Sequence, residues 1–225
     1  MAAKSTASRA RGKVAEFRRS AGTRDRALQV AQSLFAERGY RGASLRDIAR
    51  RIGIKAPSLL HHFSSKRQLY IAVLERMFEH LEDSANALTW SRGSRQQRMR
   101  EAIGDTIGYI ATHPDFVRIM WKEMADESGV GRQVIKRRLP ALFSTAANFI
   151  FLGQREGEFR PEVDPLQFVL SLNSITLGYF TAAAMVRRLW GMNLLEPQIV
   201  DRRKREVIDL VERALFVPYE GMAVE

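Results

Sequence analysis

Between residues 44 and 66 the sequence carries basic, hydroxyl and imidazole side chains whose spacing suits contacts with a nucleic acid. Lys and Arg bind phosphate oxygens, Arg also grips a guanine edge with two donors, and Ser bonds either a base or a phosphate. The residues that we expect to contact DNA are Ser44, Arg46, Lys55, Pro57, Ser58, His61, His62 and Lys66. Pro57 can meet a thymine methyl group, although a structural role is its simpler explanation.

Several of these residues have a second interpretation. Ser44 can cap the helix that follows it, which alone would explain its presence. Arg46 can be an ordinary solvated side chain. A helix points the adjacent His61 and His62 about 100° apart, so the pair chelates one metal poorly, and no Cys or carboxylate stands beside it. We therefore expect DNA contact rather than metal binding from the histidines, and we predict no cofactor.

Short helices must position these side chains. Ser44 caps one helix, with Asp47 three residues on in a variant of the capping box, and Gly53 ends it. A second helix of barely two turns starts around Pro57, whose missing N–H suits a first turn. Two short helices joined by a glycine-containing turn form a helix-turn-helix, whose second helix lies in the major groove. The apolar residues predicted to face the core are Leu45, Ile48, Ala49, Ile52, Leu59 and Phe63.

Two longer helices flank this pair. Thr23 caps a helix that ends near Gly39, with Ala27, Ala31, Leu34 and Phe35 at helical spacing. Ser65 and Gln68 form a capping box that opens a long fourth helix. The remainder of the chain also has helical periodicity. The sequence therefore predicts an all-α fold, with an N-terminal three-helix DNA-binding domain containing a helix-turn-helix and a larger helical domain after it.

The net charge of +11 lies entirely at the amino-terminal end. Residues 1–66 hold 15 Lys/Arg and 4 Asp/Glu, whereas residues 67–225 hold 21 of each. A polyanion is the expected partner of such a segment, and nucleic acid is favoured over an anionic membrane because no basic amphipathic helix with a wide apolar face occurs there. We interpret residues 1–22 as a flexible basic arm, which either contacts DNA or is a solvated tail.

Composition excludes several other classes of protein. The 225 residues include no Cys, so disulfides, thiolate catalysis, zinc fingers and iron–sulfur clusters are excluded. No apolar run approaches the roughly 18 residues of a membrane-spanning helix, and the first residues lack the apolar core of a secretory signal. We therefore expect a cytoplasmic protein without a membrane partner.

Five short motifs fall in order over roughly residues 23–75, about a quarter of the chain. They are Thr23-Arg24-Asp25-Arg26, Leu34-Phe35-Ala36-Glu37-Arg38-Gly39-Tyr40, Ser44-Leu45-Arg46-Asp47-Ile48-Ala49, Gly53-Ile54, and His61-His62-Phe63-Ser64-Ser65-Lys66 with Leu69. Together they resemble the amino-terminal domain of the TetR (tetracycline-repressor-like) regulators. The resemblance implies that Arg46 touches DNA. The sequence departs from the family pattern at Lys55, where a Ser or Thr cap is frequent, and at Leu60, where a phosphate-contacting Tyr is usual.

The domain boundaries that we predict are 1–22 for the arm, 23–68 for the DNA-binding domain and 69–225 for a helical effector-binding and dimerisation domain. A small-molecule pocket needs an apolar lining with a few polar groups, although ordinary core packing explains each candidate equally well or better. The candidate ligand-binding residues are Tyr109, Phe116, Met120, Trp121, Met124, Phe143, Asn148, Phe151, Asn173 and Tyr179, with Phe149 and Thr176 as further candidates. This mixture favours an apolar or aromatic effector with few hydrogen bonds.

The apolar helices predicted over 165–190 and 197–216 suit pairing with their copies in a homodimer. The family resemblance implies such a four-helix interface, and a two-fold dimer would present two recognition helices one DNA turn apart. Together these features predict a DNA-binding transcriptional regulator. A repressor that a small molecule releases from a palindromic operator is favoured. A DNA-binding protein that responds to no ligand stays open as an alternative.

An enzyme is not expected. His113, Glu123, Asp126 and Glu127 offer a conceivable acid and base, but no nucleophile motif, phosphate loop or metal spacing accompanies them. They are better interpreted as one solvated helix face.

Overall fold

The computed structural model describes residues 3–125 and 129–217, with side chains from residue 22 onward. In these residues the chain is helical, and the only β-type pairing is an isolated antiparallel bridge between Phe159 and Phe216. The helices are α1 (Ala3–Gly42), α2 (Leu45–Ile52), α3 (Ala56–His62), α4 (Lys66–Trp90), α5 (Arg95–Thr112), α6 (Pro114–Ala125), α7 (Arg132–Arg155), α8 (Pro165–Trp190) and α9 (Pro197–Leu215). The all-α prediction is confirmed.

The chain divides into two compact units whose main boundary lies inside α4, between Glu75 and Arg76. We call them the amino-terminal unit and the carboxy-terminal unit. The boundary falls a few residues beyond the predicted one at 68, because the first turns of α4 belong to the core of the amino-terminal unit. Leu69 and Tyr70 are buried there, and the Tyr70 ring meets the Phe35 ring edge-on at 4.7 Å between centroids.

Helix α1 differs from its prediction at one end and agrees at the other. It begins at Ala3 rather than at Thr23, because a capping residue favours a helix start without preventing a helix from passing through it, and no proline precedes Thr23. Near its other end Gly39 has φ 71° and ψ 173°, which interrupts the helix at the residue predicted to end it. The flexibility of the arm over 1–22 stays a prediction, since residues 1 and 2 and all side chains through residue 21 lie outside the described part.

The core of the amino-terminal unit is sealed by residues at helical spacing on all four helices. Helix α1 packs on α2, and α2 packs on α3. The large side chains that are almost fully buried in this unit include Leu34, Phe35, Ile48, Leu59, Phe63, Leu69 and Leu74. Each of them buries apolar surface worth about 1.5–3 kcal/mol, which is what holds three short or kinked helices in place. The predicted core positions are therefore confirmed, apart from Leu45, which is only half-buried.

In the carboxy-terminal unit, α8 packs against α6 and α7, and α9 packs against α5. Asp164 caps α8 by accepting a hydrogen bond from the Gln167 amide at 2.8 Å, with Pro165 in the first turn. Gly191 ends the same helix with φ 68°, a backbone conformation that costs glycine little. Pro140 lies inside α7, and the helix continues through it.

One corner of the carboxy-terminal unit is packed without free space. Gly153 on α7 lies against the fully buried Phe159, and a Cβ at Gly153 would stand 2.2 Å from the Phe159 ring. The Phe159 ring also meets Phe149 and, edge-on at 4.7 Å, Phe216. Beside it, Arg95 is 7% exposed and bonds Glu156 at 2.6 Å and Glu158 at 3.2 Å. This corner joins the ends of α7 and α9 to the start of α5.

Candidate DNA interface and effector cavity

Helix α2 is fixed at both ends by the residues that predicted it. Ser44 caps it, accepting from the Asp47 amide at 3.1 Å and donating to the Asp47 carboxylate at 2.7 Å. That hydroxyl bond, with Arg50 and Arg38 nearby, holds the pKa of Asp47 below its ordinary value. Gly53 ends α2 with φ 75°, and its amide donates to the Arg50 carbonyl at 3.2 Å. The Ser44 hydroxyl therefore serves as the cap of α2, and its contact with a phosphate stays a prediction.

Helix α3 turns a narrow face inward and the rest outward. Leu59 and Phe63 are buried, whereas Pro57, Ser58 and His61 are exposed and His62 is half-buried. At about 100° per residue, Pro57 and His61 lie opposite the buried face, and residues 58 and 60 flank them. Lys55 stands at the N-cap position without a side-chain cap bond.

Leu60 is a further candidate contact residue that sequence reasoning did not propose. That reasoning treated this position only as a departure from the family pattern, yet the Leu60 side chain is 44% exposed and flanks the outward face of α3. An apolar side chain on a groove-facing helix can pack on a thymine methyl group. The available signal was the spacing itself, because a residue one position after the buried Leu59 cannot share its face.

Lys66 is held in place at the start of α4. Its ammonium donates to the Arg41 carbonyl at 3.3 Å and lies 4.6 Å from the centre of the Tyr40 ring. Tyr40 is itself fixed by Tyr70, with ring centres 5.1 Å apart. The helix start is capped by Ser65, whose hydroxyl accepts from the Gln68 amide, while the Gln68 side chain accepts from the Ser64 amide. The Arg41 carbonyl accepts only one of the three N–H donors of the Lys66 ammonium. The others can therefore still bind a phosphate.

The charges of the amino-terminal unit are mostly without acidic partners. Between residues 22 and 66 the sequence has nine Lys/Arg and three Asp/Glu. The described salt bridges there join Arg38 and Arg50 to Asp47 and Arg51 to Glu37. The cations that form no salt bridge with another described residue include Arg41, Arg46, Lys55 and Lys66. This surplus of exposed positive charge suits a polyanion.

The carboxy-terminal unit contains a partly open cavity of about 430 Å³. That volume lies in the range of about 300–1,000 Å³ that small-molecule sites occupy. Its walls come from α4 through α9, and its described lining is almost wholly aliphatic and aromatic, with no charged side chain. Five polar residues line it, namely Ser84, Thr106, Asn173, Ser174 and Thr176. The site suits a mostly apolar small molecule.

Half of the predicted ligand-binding residues lie at this cavity. Those that line it are Phe116, Met120, Met124, Phe143 and Asn173, together with the further candidates Phe149 and Thr176. Residues 116, 120 and 124 share one face of α6 because they are four apart. Trp121 is the next residue after Met120 and is 59% exposed, and Phe151, two residues after Phe149, is 50% exposed. Asn148 is also exposed, and neither it nor the half-buried Tyr179 lines the cavity.

Tyr109, another predicted lining residue, has a different environment. Its ring is stacked between His80 and His113, with ring centres 4.3 Å away on each side, and its hydroxyl donates to the Met77 carbonyl at 3.4 Å. Burial raises the pKa of the Tyr109 hydroxyl. Tyr109 therefore joins α4 to α5, and it does not line the cavity.

The residues considered for acid–base chemistry do not form a site in the described part of the chain. Glu123 is buried on α6, and His113 stacks on Tyr109. Asp126 and Glu127 lie outside the described residues. No group of side chains with metal-binding spacing occurs among the residues that the structure describes.

Helix α8 exposes much of its apolar surface. Its exposed large apolar residues are Leu166, Leu170, Ile175, Met185, Leu189 and Trp190. An 18-residue window of this helix has a mean hydropathy of 1.5 and is 17% buried, so by length and composition α8 is apolar enough to cross a membrane. The expectation concerned uninterrupted apolar runs, and α8 contains none near 18 residues, because polar residues such as Gln167, Asn173 and Ser174 interrupt it. One such helix is a weak indication of a membrane, since a protein interface needs the same residues.

Comparison with known proteins relates both units to one family. Residues 27–73 match the model of bacterial regulatory proteins of the tetR family, and residues 96–211 match the tetracyclin repressor-like C-terminal domain. The transcriptional repressor NicS of Pseudomonas putida is 24% identical over 86% of this chain and 92% of its own length. The transcriptional activator FasR of Mycolicibacterium smegmatis is 32% identical over 49% of this chain, and the match spans about half of FasR, 51%.

Among solved structures, the ketosteroid transcriptional regulator KstR2 of Mycobacterium tuberculosis superposes with a TM-score of 0.68 at 22% identity, covering 86% of this chain and 95% of that one. That likeness shows the fold. The two family matches follow one another along the chain, and the second spans more than half of it. They agree with the helix-turn-helix in the amino-terminal unit and the hollow helical domain after it. The chain therefore belongs to the TetR family of bacterial transcriptional regulators.

Proposed function

We propose that this protein is a homodimeric, cytoplasmic repressor that binds a near-palindromic operator and leaves it when a small apolar or aromatic molecule enters the cavity. The observation that carries the proposal is the outward face of α3, where Pro57, Ser58 and His61 are exposed on the second helix of a helix-turn-helix. Side chains in that position reach base edges when the helix enters the major groove. The role is recognition of DNA rather than catalysis.

Each exposed polar residue has a role in this proposal. Ser58, His61 and Leu60 contact bases, the last through a thymine methyl group. Arg46 on α2 and Lys55 bind phosphates or a guanine edge, and Lys66 binds a phosphate from the start of α4. Half-buried His62 contributes at the rim of the same surface, Pro57 supports the helix start, and Ser44 adds its adjacent helix amides.

A homodimer through α8 and α9 supplies the two-fold symmetry of the operator. The apolar residues of α8 that the subunit leaves exposed need a cover in water, and a second copy of the same face is self-complementary. Two copies place two α3 helices for two half-sites. Repression is favoured over activation because NicS, a repressor, matches over most of both chains, whereas the activator FasR matches over half of its length.

Release by an effector follows from differential binding. A molecule that binds the operator-competent and operator-incompetent conformations equally shifts nothing, so the effector must prefer the second. The cavity supports such a ligand because it is already open at about 430 Å³ inside an otherwise packed unit. A DNA-binding protein without a ligand would need no such space.

The proposal is tested by selecting genomic fragments on the purified protein at near-physiological salt, where non-specific phosphate binding is weak. We expect enrichment of an inverted repeat. Arg46→Ala and His61→Ala should each weaken operator binding about tenfold while sedimentation still shows a dimer. Arg118→Ala, an equally exposed arginine on α6, is the control and should change nothing. Variants that keep the wild-type preference for operator over random DNA would contradict the assignment.

A further inference from the structure

Two buried hydroxyl groups interrupt the apolar wall of the cavity. Ser84 on α4 is 6% exposed and Thr176 on α8 is 7% exposed, and both line the cavity. The structure shows no hydrogen bond from either hydroxyl to a described residue, and neither oxygen is among the fully enclosed polar atoms that lack a partner, so both oxygens reach the open space of the cavity. A buried hydroxyl without a partner costs free energy, so a sealed core normally pairs it or replaces it.

A position inside a helix does not by itself leave a serine or threonine hydroxyl without a hydrogen bond. A serine or threonine in a helix can donate to the carbonyl four residues earlier. Ser174 does so to Leu170 at 2.8 Å, and Thr181 does so to Leu177 at 2.8 Å, both on α8. Thr176 lies between them on the same helix and does not. Its hydroxyl, like that of Ser84 on a different wall, is available to a guest in the cavity.

The described lining also restricts the charge of that guest. It includes no Lys, Arg, His, Asp or Glu. A carboxylate or an ammonium group would lose its hydration there and find no counter-charge, whereas a neutral oxygen would find two hydroxyl groups able both to donate and to accept.

We infer that the effector is an uncharged, mostly apolar molecule that carries a hydroxyl or ketone oxygen, and that Ser84 and Thr176 bind this oxygen. The inference rests on the proposed function in one respect, that the cavity is the effector site. The inference goes beyond the proposed function because it names the chemical class of the effector and the two residues that bind its oxygen. The remaining surface of the molecule is held by the aliphatic and aromatic lining.

The first test varies the head group at constant chain length. Straight-chain alcohols of six to twelve carbons are titrated calorimetrically into the full-length protein, beside the matched carboxylates and primary amines. We expect at least one alcohol to bind more than tenfold tighter than its matched acid and amine. An acid or amine that binds as tightly as the best alcohol, or no binding by any alcohol, would overturn the inference.

The second test removes the two hydroxyl groups. Ser84→Ala and Thr176→Val keep the shape of each side chain nearly intact, and each should weaken binding of the best alcohol about threefold to tenfold. Thr181→Val is the matched control, because Thr181 lies on the same helix as Thr176 with its hydroxyl already bonded and does not line the cavity, and it should leave the affinity unchanged. Equal loss in all three variants, or none in the first two, would contradict the assignment. Helical circular dichroism checks that each variant folds, and the head-group series stands without them.

Failure of the inference and failure of the proposed function give different results. If the wild-type protein selects an inverted repeat but binds no alcohol better than the charged probes, the ligand class is wrong and the DNA function stands. If alcohols bind through Ser84 and Thr176 but no DNA sequence is enriched, the cavity chemistry holds and the regulator proposal falls.

Discussion

The two units of this protein differ in how their cationic side chains are paired. In the amino-terminal unit, cations such as Arg46 and Lys55 are exposed and form no described salt bridge. In the carboxy-terminal unit, ion pairs join separate elements, with Arg95 bound to Glu156 and Glu158 and Arg138 bound to Glu82. Unpaired cations are available to an external polyanion, whereas paired ones stabilise helix contacts. The proposed binding roles therefore rest on the outer surface of the first unit and on the cavity of the second.

The two units also differ in how completely their apolar cores are filled. The amino-terminal unit buries Phe35 and Phe63 almost completely. The carboxy-terminal unit has about 430 Å³ of open space between its helices and packs tightly around Phe159. A full core holds a surface rigid for recognition, and a hollow one gains stability when it is filled.

The largest effect is expected from truncating one aromatic ring in each core. Phe35→Ala should lower the free energy of unfolding by about 3–5 kcal/mol, because the ring is 1% exposed and meets Tyr70. Phe143→Ala should cost less, about 2 kcal/mol at most, because the half-buried Phe143 already borders open space. Urea denaturation followed by circular dichroism measures both. Equal costs would break the contrast between a sealed and a hollow core.

A second prediction concerns the tightly packed edge of the hollow unit. Gly153→Ala should destabilise the protein by about 1–3 kcal/mol, since the new methyl group would collide with the Phe159 ring. Gly104→Ala on α5 is the control: a Cβ there meets nothing within 4 Å, and alanine favours a helix, so stability should stay equal or rise. The midpoints of thermal unfolding compare the two. A stable Gly153→Ala variant would mean that the edge is as loose as the cavity.

A third prediction sharpens the role of the exposed cations. Lys66→Met should weaken operator binding several-fold and reduce the salt dependence of binding by about one ion. Tyr40→Leu should produce part of the same loss, because the ring holds the ammonium in place at 4.6 Å. The double variant should then lose less than the sum of the two, which a double-mutant cycle at several salt concentrations detects. Additive losses with an unchanged salt slope would show that Tyr40 does not position Lys66.

The smallest effect is expected from a paired charge in the carboxy-terminal unit. Hydrogen bonds from Arg100 and Gln96 lower the pKa of Glu212 below its ordinary 4.5. A lowered pKa means stability that is present above about pH 4.5 and lost as the pH falls through the lowered value. Because Arg100 is half exposed, the contribution is under about 1 kcal/mol. Glu212→Gln should flatten the stability curve below pH 5, and a curve that stays as steep as the wild type would place the acid sensitivity elsewhere.

The amino-terminal unit was the more predictable of the two from sequence. Ser44, Gly53 and Ser65 specify helix ends through local hydrogen bonds, and the structure shows those bonds. The start of α1 was wrong because Thr23 is compatible with both a cap and a helix interior. The contacts that fix Lys66 were not predictable, because Tyr40 and Arg41 reach it only after α1 and α4 have come together.

For the cavity, helical periodicity identified a shared face of α6 but not where space remains between helices. Phe116 and Met120 line the cavity, yet Trp121 beside them faces outward, as its phase on the helix requires. Ser84 was missed because a single serine in a helix has no distinguishing pattern in sequence. Its significance depends on the absence of a bonding partner, which only the folded arrangement of described residues reveals.

The three tryptophans give the molecule an intrinsic optical label. Trp90, Trp121 and Trp190 are 82%, 59% and 68% exposed, so an isolated subunit should emit at the long wavelengths of indole in water. Assembly through α8 would withdraw Trp190 from solvent and shift part of that emission to shorter wavelength. A guest in the cavity, whose lining includes no tryptophan, would leave the spectrum in place. Subunit association can thus be followed by dilution alone, without dye or tag, and separately from occupancy of the interior.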